Sequence, residues 1–313
     1  MPIPALELAD YRAEIALDDL FPTTPDPTTP AQSADMVRSA LSWLSKDAAT
    51  RARGLTAGDT DQLDEATARR LLRAVLTVRP PGPLPAEVSQ VLDALLSSER
   101  EAKTVTDPNR LPRIAEELAG TATPYPSAGR MVLWQGDITA LGADAIVNAA
   151  NSAMLGCFVP QHPCIDNAIH SAAGPRLRDD CHTIMTRQGH AEATGTAKIT
   201  RGYHLPARYV LHTVGPIVDG PPRPTHERLL TASYRACLDL AAEMGDIRTV
   251  AFCGVSTGVF GYPKQPAART ALSTVADWLE AHPGRLDRVI FNVYASDDRA
   301  AYLNALTGGT DTR

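Results

Sequence analysis

From Arg130 onward, short apolar runs alternate with longer stretches of helical periodicity, and this alternation restricts the fold more than any other feature of the chain. The apolar runs fall at 131–135, 144–148, 196–201, 209–213, 249–253 and 289–294. Each is short and rich in Val, Ile or other apolar residues, the pattern of strands buried on both faces. Helical spacing marks 165–173, 177–187, 227–244, 266–281 and 299–306. Such a succession predicts a three-layer α/β sandwich that binds ligands at the carboxyl ends of its strands.

Residues 1–120 read differently. Met36, Ala40, Leu41 and Leu44 recur at helix spacing, as do Leu71, Leu72, Val75 and Leu76. Val88, Val91, Leu92, Leu95 and Leu96 form a third set, set apart by Pro80-Pro81-Gly82-Pro83. The run FPTTPDPTTP at 21–30 is a linker too poor in apolar residues to pack. The expected organisation is a small helical region at 1–120, its apolar faces covered by the rest of the chain, followed by an α/β domain at 121–313.

The chain is 44% hydrophobic and 21% charged, as soluble globular proteins are. No stretch approaches the roughly eighteen consecutive apolar residues of a membrane span. The start of the chain lacks the basic residues and apolar run of a signal peptide, so a cytoplasmic location is expected. Five cysteines, an odd number, fit a reducing compartment in which thiols serve as ligands or core residues. The net charge of −6 arises in residues 1–120, which hold 13 Lys and Arg against 19 Asp and Glu. The neutral remainder has no basic stripe, which argues against nucleic-acid binding. A small anion remains possible, because backbone N–H groups hold phosphates without net positive charge.

The densest chemistry lies in Gly156-Cys157-Phe158-Val159-Pro160-Gln161-His162-Pro163-Cys164-Ile165-Asp166-Asn167. Two thiols and an imidazole within eight residues suit zinc (Zn²⁺), and three protein ligands leave a fourth position open, as in catalytic sites. A structural zinc would need a fourth ligand, for which Cys181 or His182 is the candidate. The alternative is that both cysteines are small buried hydrophobes, but Gly156, Pro160 and Pro163 favour a rigid exposed loop. Asp166 follows two residues after the last thiol and suits a general base, with helix capping as its other role. His170 shares its helical face and can orient it or simply pack. His212 reads as a strand-end residue, and Cys237 and Cys253 as core.

Four segments together resemble a known family: Gly136-Asp137-Ile138-Thr139, 144–151 (DAIVNAAN), 165–174 (IDNAIHSAAG) and Ser256-Thr257-Gly258-Val259-Phe260-Gly261-Tyr262-Pro263. In this order they look like the successive signatures of a macrodomain. The resemblance implies a mixed six-stranded sheet and binding of ADP-ribose. It places Asp137 and the Ile138 N–H at the adenine, with a turn aspartate as the other reading, and Asn148 and Asn151 at a ribose; Asn148 reads equally as structural, and Asn151 is also a catalytic candidate. It places Ser256, Thr257, Gly258, Val259 and Phe260 around the diphosphate and Asp166 at the distal ribose; Tyr294, ending the last strand, is expected either against the adenine or in the core. The Cys157, His162, Cys164 set stands where ordinary hydrolytic members carry a glycine-rich run. It is similar to a zinc-dependent bacterial branch found beside sirtuin-type ADP-ribosyltransferases and a lipoyl-carrier protein. The activity so implied is zinc-dependent release of ADP-ribose from mono-ADP-ribosylated protein, through an ester linkage. The other readings are a non-catalytic ADP-ribose reader and an O-acetyl-ADP-ribose deacetylase.

Overall fold

The computed structural model describes residues 6–22, 30–51 and 62–308. The expected linker at 21–30 lies outside them from 23 to 29, as do residues 1–5 of the start examined for a signal peptide. Six strands form one sheet: β1 (Met131–Gln135), β2 (Ala145–Ala149), β3 (Ala197–Arg201), β4 (Tyr209–Thr213), β5 (Thr249–Phe252) and β6 (Arg288–Val293), in the order β1-β6-β5-β2-β4-β3. Neighbours run parallel except β3, which pairs antiparallel with β4 at the edge. The sheet is therefore mixed, as expected, and each strand lies within one residue of its predicted limits.

Central strands β2, β5 and β6 carry Ile146, Val147, Val250, Ala251, Ile290 and Phe291, all enclosed. Helices α7 (Ile165–Ala173) and α8 (Pro175–Gln188) pack on β2 and β3 respectively, while α9 (Pro224–Glu243) and α10 (Lys264–Ala281) pack together with α11 (Ser296–Leu306). Local chemistry sets the ends of α8. Pro175 opens it where its missing N–H costs nothing, and Gly189 closes it in the left-handed region at φ 73°.

Earlier in the chain come α1 (Leu8–Tyr11), α2 (Pro30–Leu44), α3 (Ala48–Arg51), α4 (Glu65–Val78), α5 (Ala86–Glu101) and α6 (Ile114–Glu117). Leu41, Leu72 and Leu92 centre a second apolar cluster built by α2, α4 and α5. Their periodicity matches the helices, but the apolar faces pack mainly on one another and not, as expected, on the rest of the chain; α4 and α5 also rest on α7. At the junction of α7 and α8, Gly174 has φ 91°, and a Cβ there would come within 2.6 Å of Leu96 Cδ1 on α5. Leu8, Tyr11, Ile15 and Leu17 instead join the main core, where the Tyr11 hydroxyl accepts from the Ile199 N–H of β3 at 3.1 Å. Among the described residues no helix is long and apolar enough to cross a membrane.

Candidate active site

The carboxyl ends of β2, β5 and β6 and the start of α7 surround a cavity of about 570 Å³. Asn151 follows β2, the turn 253–260 follows β5, and Tyr294 follows β6; Asp166 and the loop 156–164 add to the lining. This is where parallel strands leave room for a ligand, since their helices depart from that edge.

Cys157, His162 and Cys164 present ligand atoms that all lie within 4.8 Å of one another. Cys157 Sγ is 3.5 Å from His162 Nδ1. A tetrahedral zinc with ordinary Zn–S and Zn–N bonds has an S···N edge of about 3.6 Å, so the donor set and its spacing fit the ion. Burial, the first cause, and the neighbouring Cys157 push the Cys164 thiol up to about 11 in the metal-free chain. A bound cation reverses that preference, because a coordinating thiol is deprotonated.

The loop is braced from α7. The Asn167 amide donates to the carbonyl oxygens of His162 (3.0 Å) and Val159 (3.4 Å), and its Oδ1 accepts from Thr77 of α4 (3.4 Å). Cys164 Sγ occupies the N-cap position and accepts from the Asn167 N–H at 3.4 Å. Arg178 binds from the other side: Nε donates to Leu155 O (2.8 Å), and Nη1 to Leu76 O (2.8 Å) and Arg79 O (2.6 Å). Neither Asn167 nor Arg178 was singled out in the sequence. An arginine that clamps three carbonyls is visible only once the loop and the end of α4 are brought together. Cys181 is not a fourth ligand of this set; it sits beside His170 and His212.

Asp166 is buried, and its Oδ1 accepts from Asn148 Nδ2 at 2.8 Å. Asn151 Nδ2 stands 3.5 Å from Oδ2. Burial raises this carboxyl to about 6, against the lowering effects of the Asn148 hydrogen bond and the Arg178 charge. Because Cys164 holds the N-cap, Asp166 faces the cavity and does not cap the helix. His170 Nε2 lies 3.5 Å from Asp166 Oδ1, yet neither ring nitrogen completes a hydrogen bond. Desolvation holds this imidazole neutral, well below its usual range. Asn148 is fully enclosed and lies behind Asp166, outside the lining.

In the turn after β5, Ser256 has φ 66°, a left-handed geometry rare for a residue with a Cβ. Among the described residues, the N–H groups of Ser256, Gly258, Val259 and Phe260 make no backbone hydrogen bond, while Gly261 and Tyr262 close the turn onto Gly258 and Ser256. Successive N–H groups in such a turn form an anion cradle. A helix dipole contributes only about 0.3–1 kcal/mol when exposed, whereas micromolar affinity needs about 8 kcal/mol. Direct N–H contacts and burial of apolar ligand surface must supply the difference.

Tyr294 is 81% exposed, which excludes core packing and leaves its ring on the cavity rim. Asp137 and Ile138 do not line the cavity. Asp137 Oδ1 accepts from the Thr139 N–H (2.9 Å) and hydroxyl (2.7 Å) in a capped turn. Even so, Gly136 N donates to Val293 O at 3.0 Å, which brings this turn beside Tyr294. Cys237 and Cys253 are buried, as expected.

A family model, the Macro domain, matches residues 147–271. A protein of Treponema medium named protein-ADP-ribose hydrolase is 45% identical over 243 residues, covering 76% of this chain and 87% of the relative. The chain belongs to the macrodomain family. A second protein-ADP-ribose hydrolase, from Staphylococcus aureus (strain MSSA476), is 43% identical over 236 residues, 75% of this macrodomain chain and 83% of its own length. Among solved structures, a Trypanosoma brucei macrodomain in complex with ADP-ribose is 31% identical with a TM-score of 0.55, covering 73% of this chain and 93% of that one. An Oceanobacillus iheyensis macrodomain mutant with ADPR is 35% identical at a TM-score of 0.51, over 56% of this chain and 90% of the other.

Proposed function

We propose that this macrodomain is a zinc-dependent hydrolase that releases ADP-ribose from mono-ADP-ribosylated protein, with the acceptor side chain joined through an ester. One observation carries the reading: the buried Asp166 carboxylate and the Cys157, His162, Cys164 set share the lining of one cavity with the turn at Ser256–Phe260. Binding alone requires neither a metal nor a buried carboxylate. The names of the bacterial relatives support the hydrolase, and the ADP-ribose complex of the trypanosomal macrodomain supports the ligand.

The chain's own groups divide the work. The N–H groups of Ser256, Gly258, Val259 and Phe260 hold the diphosphate. Thr257 completes that turn. The Tyr294 ring covers the adenine, whose polar edge meets Asp137 and the Ile138 N–H. Asn151 orients the distal ribose and the attacking water, and Asp166 accepts the water's proton, a contribution of about 10²–10⁴ in rate. When bound, zinc supplies Lewis acidity at the loop, polarising a sugar oxygen or acidifying a water. A lipoyl-carrier protein modified by a sirtuin-type transferase is the protein substrate, and the reaction is cytoplasmic.

The test is release of free ADP-ribose from a mono-ADP-ribosylated lipoyl-carrier protein and from O-acetyl-ADP-ribose, before and after chelation. Release from the carrier that stops on chelation and returns with zinc is expected. Tight ADP-ribose binding without release from either substrate would make the chain a reader. Preference for the small ester would make it a deacetylase, and release indifferent to chelation would remove the metal from the reaction.

A further inference from the structure

Behind Asp166 the fold encloses three polar side chains that take no part in the chemistry just described: Asn148, His212 and Thr200, none of them accessible to solvent. Sheet register brings them together. Asn148 of β2 stands opposite His212 of β4. On the other side His212 is opposite Lys198 of β3, and Thr200, two residues along, falls on the same face.

Donor and acceptor chemistry orders this row. An ionised carboxylate only accepts, so the group 2.8 Å from Asp166 Oδ1 must be the Asn148 NH₂. The same nitrogen is 3.2 Å from His212 Nδ1, and its second hydrogen goes there. His212 Nδ1 is therefore an acceptor, which puts the proton of the neutral ring on Nε2. That N–H faces Thr200 Oγ1 at 2.9 Å, and the Thr200 hydroxyl in turn donates to the Arg201 carbonyl at 3.2 Å. Burial pulls the His212 ring down to about 3, so it stays neutral. Asn148 Oδ1 is left without a partner, as expected if the amide is oriented by its two acceptors.

The ligand atoms of His170, Cys181 and His212 also lie within 4.8 Å of one another. A metal cage there is disfavoured, because both His212 nitrogens are already engaged by Asn148 and Thr200.

We propose that Thr200 and His212 are positioning residues that fix the Asn148 amide and, through it, the orientation of the Asp166 carboxylate. The proposal rests on the reading of Asp166 as general base. It assigns a catalytic purpose to an edge strand that never touches the cavity.

The experiment compares Thr200→Val and Thr200→Ser with wild type and reads the His212 ring by nitrogen NMR. Thr200→Val is expected to lower kcat about tenfold, a fraction of what a general base contributes, with KM and calorimetric ADP-ribose affinity essentially unchanged. Thr200→Ser restores kcat. The His212 ring shows hydrogen on Nε2 in wild type. Unchanged kcat in Thr200→Val, a loss of affinity that matches the loss of kcat, or hydrogen on Nδ1 would overturn the relay. Wild-type protein that binds ADP-ribose and releases none would overturn the hydrolase reading alone. The tautomer is read without turnover and tests the relay even if Thr200→Val does not fold.

Discussion

The Arg178 guanidinium lies over the Phe158 ring, 4.6 Å from its centroid, and so joins α8 to the middle of the loop 156–164. The same group donates to Leu76 O and Arg79 O at the end of α4. A buried carbonyl left without a partner costs about 1–3 kcal/mol. With two such carbonyls, Arg178→Met is therefore expected to destabilise the fold by about 2–6 kcal/mol in a denaturant titration. It should also weaken zinc retention against a competing chelator. Unaltered zinc retention would show that the loop holds its shape without the clamp.

Asp166→Asn keeps the volume of the side chain and removes the basic oxygen. Release of ADP-ribose should fall about 10²–10⁴-fold, while ADP-ribose affinity measured by calorimetry stays within a few-fold. Normal turnover in this variant would mean that another group takes the proton.

Gly215 lies just beyond β4, where a Cβ would come within 2.0 Å of Ser256 Oγ and 2.8 Å of Val255 Cγ1. Gly215→Ala thus has to push aside the Ser256 and Val255 side chains within the turn that supplies the N–H cradle. Weaker ADP-ribose binding, by about tenfold or 1.4 kcal/mol, is expected. Cys157, His162 and Cys164 are on a separate loop, so zinc content should not change. Calorimetry and metal analysis of the same preparation check both halves.

Burial depresses the folded-state pKa of His212 to about 3, against 6.5 as its ordinary value. Below 6.5 the unfolded chain binds a proton that the folded chain refuses, so this residue's contribution to stability is present above 6.5 and lost as pH falls toward 3. The slope is about 1.4 kcal/mol per pH unit. Asp166 and Asp180, both raised to about 6 by burial, have the opposite sign in part of that window and must be cancelled out. The stability of wild type relative to His212→Asn, measured by denaturation from pH 7 to 4, isolates the histidine. A difference independent of pH would mean that the ring is protonated in the fold.

The sheet was legible because buried parallel strands and amphipathic helices write their periods directly into Val147, Ile290 or Leu238 and their neighbours. The clustering of Cys157, His162 and Cys164 was legible for a related reason: they are close in sequence, so spacing alone brings their donors together. Contacts between distant segments were not legible. His212 looked like a strand-end histidine, since nothing in its vicinity shows that Asn148 is its neighbour across the sheet. Asp137 caps a turn whose relation to the cavity depends on the pairing of Gly136 with Val293, 157 positions away in the chain. Arg178 carried no local signal at all, because its acceptors come from α4 and from the loop before α7.

Among the described residues, none before Ala149 lines the cavity. The helices α4 and α5, with α2 packed on both, nevertheless press on α7 and its C-terminal glycine through Thr77 and Leu96. Among the described residues they stay off the cavity wall and act as a footing for α7. Sequence drift in such a footing can shift α7, and Asp166 with it, while every side chain on the cavity wall stays the same.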